Sequence, residues 1–140
     1  MRAVLGIIAG LIAGFLVVIV IGIVGVGATY SVPAGIDPYS SRQILDLVAA
    51  LPPAPKIALL VALFAGGLTG AALAKRIARR SWAGWTVAVL MALYFLLGVV
   101  ALPLPLWMRA LAAAAPLIGG LVGDRLAGTG TGAAEPIEDI

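Results

Sequence analysis

The chain of 140 residues contains neither cysteine nor histidine. The first absence excludes a disulfide scaffold, and together they remove the commonest thiol, zinc and haem chemistry. Charge is scarce as well. Asp, Glu, Lys and Arg make up 11% of the residues, whereas a soluble domain that must cover its surface carries roughly 25%. No P-loop, GxSxG elbow, HExxH pair or dinucleotide fingerprint occurs. Asp37 and Asp46 are better used as a cap and a solvated face than as an acid/base pair. These absences argue against an enzyme, and no cofactor is expected.

What is present is apolar. Hydrophobic residues account for 63% of the chain, glycine contributes 18 residues, and the mean hydropathy is +1.18. A soluble globular domain and a disordered chain are both excluded by that balance. The expected class is an all-α, polytopic integral membrane protein, with the bilayer as solvent and first partner. Net charge is +3, but the cations stand at the ends of apolar runs with no interleaved aromatics. That pattern points to orientation in a membrane and not to nucleic acid.

Four apolar segments carry the chain. The first, residues 3–28, is uncharged and roughly 39 Å long as a helix, enough to span a ~30 Å hydrocarbon core with tilt. Arg2 before it and Val26-Gly27-Ala28 after it resemble a signal peptide. Signal cores are only ~7–15 residues long, and the chain starts at Met1, so an uncleaved anchor is expected. The second segment, 57–74, follows Pro52, Pro53 and Pro55, and the third, 83–102, stops at Pro103-Leu104-Pro105. The fourth, 106–123, begins with Arg109 in its first turn, from which the guanidinium reaches the interface, and holds Pro116 in its middle. Residues 1–127 form the membrane domain. The tail, 128–140, rich in Gly and Thr and then acidic, is expected to be mobile.

Basic residues set the orientation. Arg2, Lys75, Arg76, Arg79, Arg80 and Arg125 fall on one side of a four-span chain, against Arg42, Lys56 and Arg109 on the other. Positive residues are retained in the cytoplasm, which predicts both termini inside a bacterial plasma membrane. Trp82, Trp85 and Trp107 fall at segment ends, where indoles prefer the headgroup boundary, and with Arg109 are expected as interfacial anchors. Tyr30 and Tyr39 follow the outer end of the first segment. Tyr94 lies near the middle of the third, so its hydroxyl needs an interhelical hydrogen bond or a cavity. With Thr69 it is the candidate for a pocket at depth, the hydrogen bond being the simpler reading.

The outer loop, 29–56, offers two helix starts, Asp37-Pro38 and Ser40-x-x-Gln43, the second a capping box. Ile44, Leu45, Val48 and Leu51 then recur at helical spacing. A short amphipathic helix is expected there, on the outer interface or over the bundle, with partner docking the alternative.

Hydrophobicity cannot drive helix association in lipid; close approach through small residues does. Gly6, Gly10 and Gly14 form one stripe, Gly66 and Gly70 a second, and Ala115, Gly119 and Gly123 a third. Packing within the bundle is the plainest use for them. A spare stripe would serve a membrane-protein partner or a homo-oligomer.

The sequence also resembles a loosely defined group of uncharacterised small bacterial four-span integral membrane proteins. The resemblance runs to about Gly128. It rests on the Gly-bearing first span, on residues 30–37 (YSVPAGID), on Leu51-Pro52, on residues 66–70 (GGLTG) with basic residues after them, and on Pro105-Leu106-Trp107. Members often carry a His after the first span and a His-Pro before that Trp. This chain has Thr29 and Leu104-Pro105 instead, so no His-based binding carries over. The resemblance implies architecture and no activity. A non-enzymatic accessory subunit packing against partner helices is the leading expectation. The alternative is a small homo-oligomeric channel or carrier for an uncharged or lipophilic solute.

Overall fold

The computed structural model describes residues 1–37, 39–100 and 104–128. Within them the chain forms five helices and no strand: α1 (Arg2–Thr29), α2 (Ser41–Ala50), α3 (Pro53–Ala78), α4 (Ser81–Val100) and α5 (Leu106–Gly128). All except α2 are long and apolar enough to cross a membrane. The fold is thus an all-α, four-span bundle with a short helix between the first two spans. Pro38, the end of the third segment at Ala101 and Leu102, and residues 129–140 of the tail lie outside the described residues.

The helices run further than the apolar segments. α3 begins at Pro53, four residues before the uncharged run, because a proline in the first turn gives up an N–H that has no helical partner anyway. It continues to Ala78, with Lys75 and Arg76 in its last turn facing the negative end of the helix dipole. α5 likewise continues past Gly123 and takes in Gly128, the residue at which the tail was expected to begin. Asp124 is accommodated there by Lys75, whose Nζ lies 2.9 Å from its Oδ1 and donates to its backbone oxygen at 2.7 Å. This pair joins the end of α3 to the end of α5. Apolarity measures the hydrocarbon thickness; hydrogen bonding carries each helix past it.

α3 lies at the centre, touching α1, α4 and α5. Its Gly66 and Gly70 meet α1, while Gly67 and the backbone of Phe64 and Leu68 meet α5. Ala74, Val87 and Met91 form a fully buried core, with Ile7, Leu11, Val18 and Phe95 packed around it. Most other buried apolar residues are alanines. Pro116 is fully buried within α5, and its backbone faces Gly67. The glycine supplies the room that a ring-bearing, hydrogen-bond-deficient turn requires.

A two-residue link, Arg79-Arg80, turns α3 into α4. Arg79 adopts a left-handed conformation, φ 54° and ψ 30°, and its N–H donates to the Lys75 oxygen. Glycine is the usual residue at such a helix end, because a Cβ crowds the carbonyl there. Arg79→Gly is therefore expected to stabilise the fold by about 1 kcal/mol. A thermal unfolding midpoint in detergent micelles, followed by circular dichroism, should rise relative to the unmodified chain.

The capping box of α2 differs from its expected geometry. Ser40 is the N-cap but makes no side-chain cap hydrogen bond. Its own N–H is already taken by the Asp37 oxygen at 3.1 Å. Gln43 reaches back beyond it, its Oε1 accepting from the Asp37 N–H at 2.8 Å, while Asp37 Oδ1 accepts from the Tyr39 N–H at 2.9 Å. The loop satisfies its donors through an Asx-type turn instead.

Candidate apolar binding site

Antiparallel order places Met1, the Arg79-Arg80 turn and the end of α5 at one end, the basic end. The α1–α3 loop and the start of α5 share the other, the loop end. The seven marked glycines all fall in the basic half. A Cβ on Gly6 would stand 2.9 Å from the Ala74 oxygen, and one on Gly10 would stand 2.6 Å from the Gly70 oxygen. On Gly14 it would stand 2.9 Å from the Gly66 oxygen and 2.8 Å from the Met91 sulfur. Gly119 and Gly123 face the backbone of Phe64 and Leu68 in the same way. Each stripe thus meets another helix of the same chain.

In the loop half, α3 and α5 carry no glycine, and bulkier side chains stand in its place. α1 still keeps to α3, through Gly25 against Ala58. On the other flank the helices stand apart and leave a half-enclosed cavity of about 180 Å³. Val18 contributes from α1, Leu59, Leu60 and Leu63 from α3, Phe95 and Val99 from α4, and Met108 and Ala112 from α5, with Leu104 just before it. Val48 and Leu51 reach over it from the end of α2, and Lys56 is the one ionisable side chain among the described lining residues. Lys56 stands in the first turn of α3, and Leu63 seven residues deeper, so the cavity extends roughly 10 Å inward. A dry apolar cavity of roughly 150 Å³ suffices to hold a benzene-sized molecule. The space here matches a short stretch of hydrocarbon, with Lys56 the one cationic residue on its described lining.

The expected pocket residues do not come together. Thr69 lies in the basic half, its hydroxyl donating to the Ala65 oxygen of its own helix at 2.6 Å. Tyr94 is 61% exposed on the outer face of α4. Its ring makes an edge contact with Phe15 of α1 at 5.0 Å and with its neighbour Phe95 at 5.4 Å. Ring packing at the α1–α4 contact takes the place of the expected interhelical hydrogen bond. Trp82 and Trp85 are partly exposed at the start of α4, at the basic end, and Trp107 at the start of α5, at the loop end. Arg109 is half-buried in the first turn of α5. Among the described residues, no three His, Cys, Asp or Glu side chains cluster.

The cavity itself escaped sequence reasoning. Its one legible signal is the concentration of prolines (Pro52, Pro53, Pro55, Pro103, Pro105) at the loop end together with the lack of glycine in segments two and four there. No protein-family model matches the chain, and no curated protein and no solved structure matches it either.

Proposed function

We propose that this chain is a non-enzymatic membrane protein that holds a lipophilic molecule in the outer leaflet, its hydrocarbon in the loop-end cavity and its polar head at Lys56. The observation that carries this reading is the cavity: lined by apolar side chains apart from Lys56, bounded by all four spans, and joined by Val48 from the amphipathic α2. Concave, mostly apolar pockets with a few placed polar groups are where small ligands bind, and at about 180 Å³ this one takes a segment of hydrocarbon and not a whole lipid. The accessory-subunit reading drew on small-residue stripes free to meet a partner. All seven marked glycines face helices of their own chain, which favours the ligand-holding reading over it.

The test uses a fluorescent fatty acid, cis-parinaric acid, titrated into the purified protein. Leu60→Trp fills the cavity and displaces about two methylenes of ligand, so affinity should fall about tenfold. Lys56→Gln should weaken the acid about three- to fivefold and leave its methyl ester unchanged. Equal binding by Leu60→Trp and the unmodified chain would sink the proposal.

The cavity faces outward only if the basic end is cytoplasmic. The six cations at that end against three at the other support this orientation in a bacterial inner membrane. Reporter fusions at the C-terminus and within residues 35–50 are expected to give opposite signals. Matching signals would overturn the orientation.

A further inference from the structure

The basic end carries a second, unrelated concavity. A cleft of about 460 Å³ is lined by Lys75, Arg76 and Arg79 together with Ser81, at the first turn of α4, and Ala127 of α5. Lys75 is held by Asp124. Arg76 and Arg79 are exposed, and among the described residues neither has an acidic partner. The cleft therefore brings together two guanidinium groups that no described carboxylate pairs, a hydroxyl, and the positive end of a 20-residue helix. Arg79 reaches it from the left-handed position where glycine would be at ease.

Directly adjoining it is an apolar groove of about 270 Å³ between α3 and α5. Leu68, Thr69, Ala72, Leu73 and Leu126 line it, and Arg76 and Ala127 are shared with the cleft. From Arg76 to Thr69 the groove descends seven residues along α3, roughly 10 Å toward the bilayer centre. A free anion would use the cleft and leave the groove empty; a hydrocarbon would use the groove and leave the cations unsatisfied. One molecule uses both.

We propose that cleft and groove form a single site for an anionic phospholipid of the inner leaflet. Its phosphate lies between Arg76 and Arg79, and the first part of one acyl chain lies against Leu68, Ala72 and Leu73. Guanidinium forks match phosphate oxygens, and basic pockets beside spans on the cytoplasmic side suit anionic headgroups. This site does not depend on the loop-end cavity or on what that cavity holds.

Native mass spectrometry of the full chain in detergent, titrated with phosphatidylglycerol or phosphatidylcholine, tests it. One phosphatidylglycerol should bind per chain, at least tenfold more tightly than phosphatidylcholine. The double variant Arg76→Gln/Arg79→Gln should lose at least tenfold in affinity, whereas Arg2→Gln, at the same end but outside the cleft, should not. Ala72→Phe obstructs the groove with the charges intact and should weaken binding comparably. Arg79→Gly keeps the fold whatever the double variant does, and should bind the lipid more weakly while unfolding at a higher temperature. Equal affinity of the double variant or of Arg79→Gly would overturn the headgroup assignment. Equal affinity of Ala72→Phe, or full displacement by inorganic phosphate, would reduce the site to an anion cleft and overturn the lipid.

Discussion

Gly10→Ile is expected to separate α1 from the bundle. A Cβ at Gly10 would stand 2.6 Å from the Gly70 oxygen and 2.8 Å from the Ala74 Cβ, and neither is the yielding end of a flexible side chain. The two helices must move apart, and Gly6 and Gly14 lose their contacts with them. Interiors have no slack to absorb such a change. Overpacking typically costs 1–3 kcal/mol, and this position belongs at or above the upper limit, at about 3 kcal/mol. In a bilayer that loss has no hydrophobic compensation between helices, because lipid replaces the partner surface at equal apolarity. The measurement is unfolding by added dodecyl sulfate or by heat in mild micelles. Gly98→Ile is the control: a Cβ there meets nothing within 4 Å, so stability should change by less than about 1 kcal/mol. Full tolerance of Gly10→Ile would refute the packing role.

The second large effect is expected from Gly119→Val, on the opposite flank of α3. A Cβ on Gly119 runs into the Phe64 carbonyl oxygen and stands 2.9 Å from the Leu68 nitrogen. Backbone on both sides of the contact leaves displacement of α5 as the only relief, again at about 3 kcal/mol. The consequence reaches the loop end. Met108 and Ala112 of the same helix wall the cavity, so a displaced α5 opens it to lipid. Binding of cis-parinaric acid should fall together with stability. Gly10→Ile acts on α1, which contributes only Val18 to the cavity, so in whatever fraction remains folded it should disturb binding less. Equal binding losses for the two variants, measured on folded protein, would show that the cavity depends on the bundle as a whole and not on α5.

Much of the fold was legible in the order of residues. Twenty or so uncharged residues in lipid have one low-energy conformation, because every backbone N–H and C=O must be satisfied within the segment. That argument locates α1, α3, α4 and α5. It stops short of the helix ends, since charged residues that reach water or each other let a helix run on. Lys75 and Asp124 lie 49 positions apart in sequence, and nothing local announces their pairing. The same holds for α2. Ser40 and Gln43 have the spacing of a capping box, but the Asp37 oxygen had already taken the donor that Gln43 would have served.

The sequence alone determined a four-span membrane protein, its charge asymmetry and the existence of its small-residue stripes, because those follow from composition and from the bilayer's demand for satisfied backbone. Only the tertiary structure decided which stripe meets which. Gly6, Gly10 and Gly14 face Gly66, Gly70 and their neighbours on α3, and Gly119 and Gly123 face its other flank. That pairing sets the rest. It turns Tyr94 outward, separates it from Thr69, closes the basic half backbone to backbone, and leaves the loop half to side chains too large to close it. A cavity is the difference between packed volumes on several helices, and no single segment carries that difference in its own order of residues.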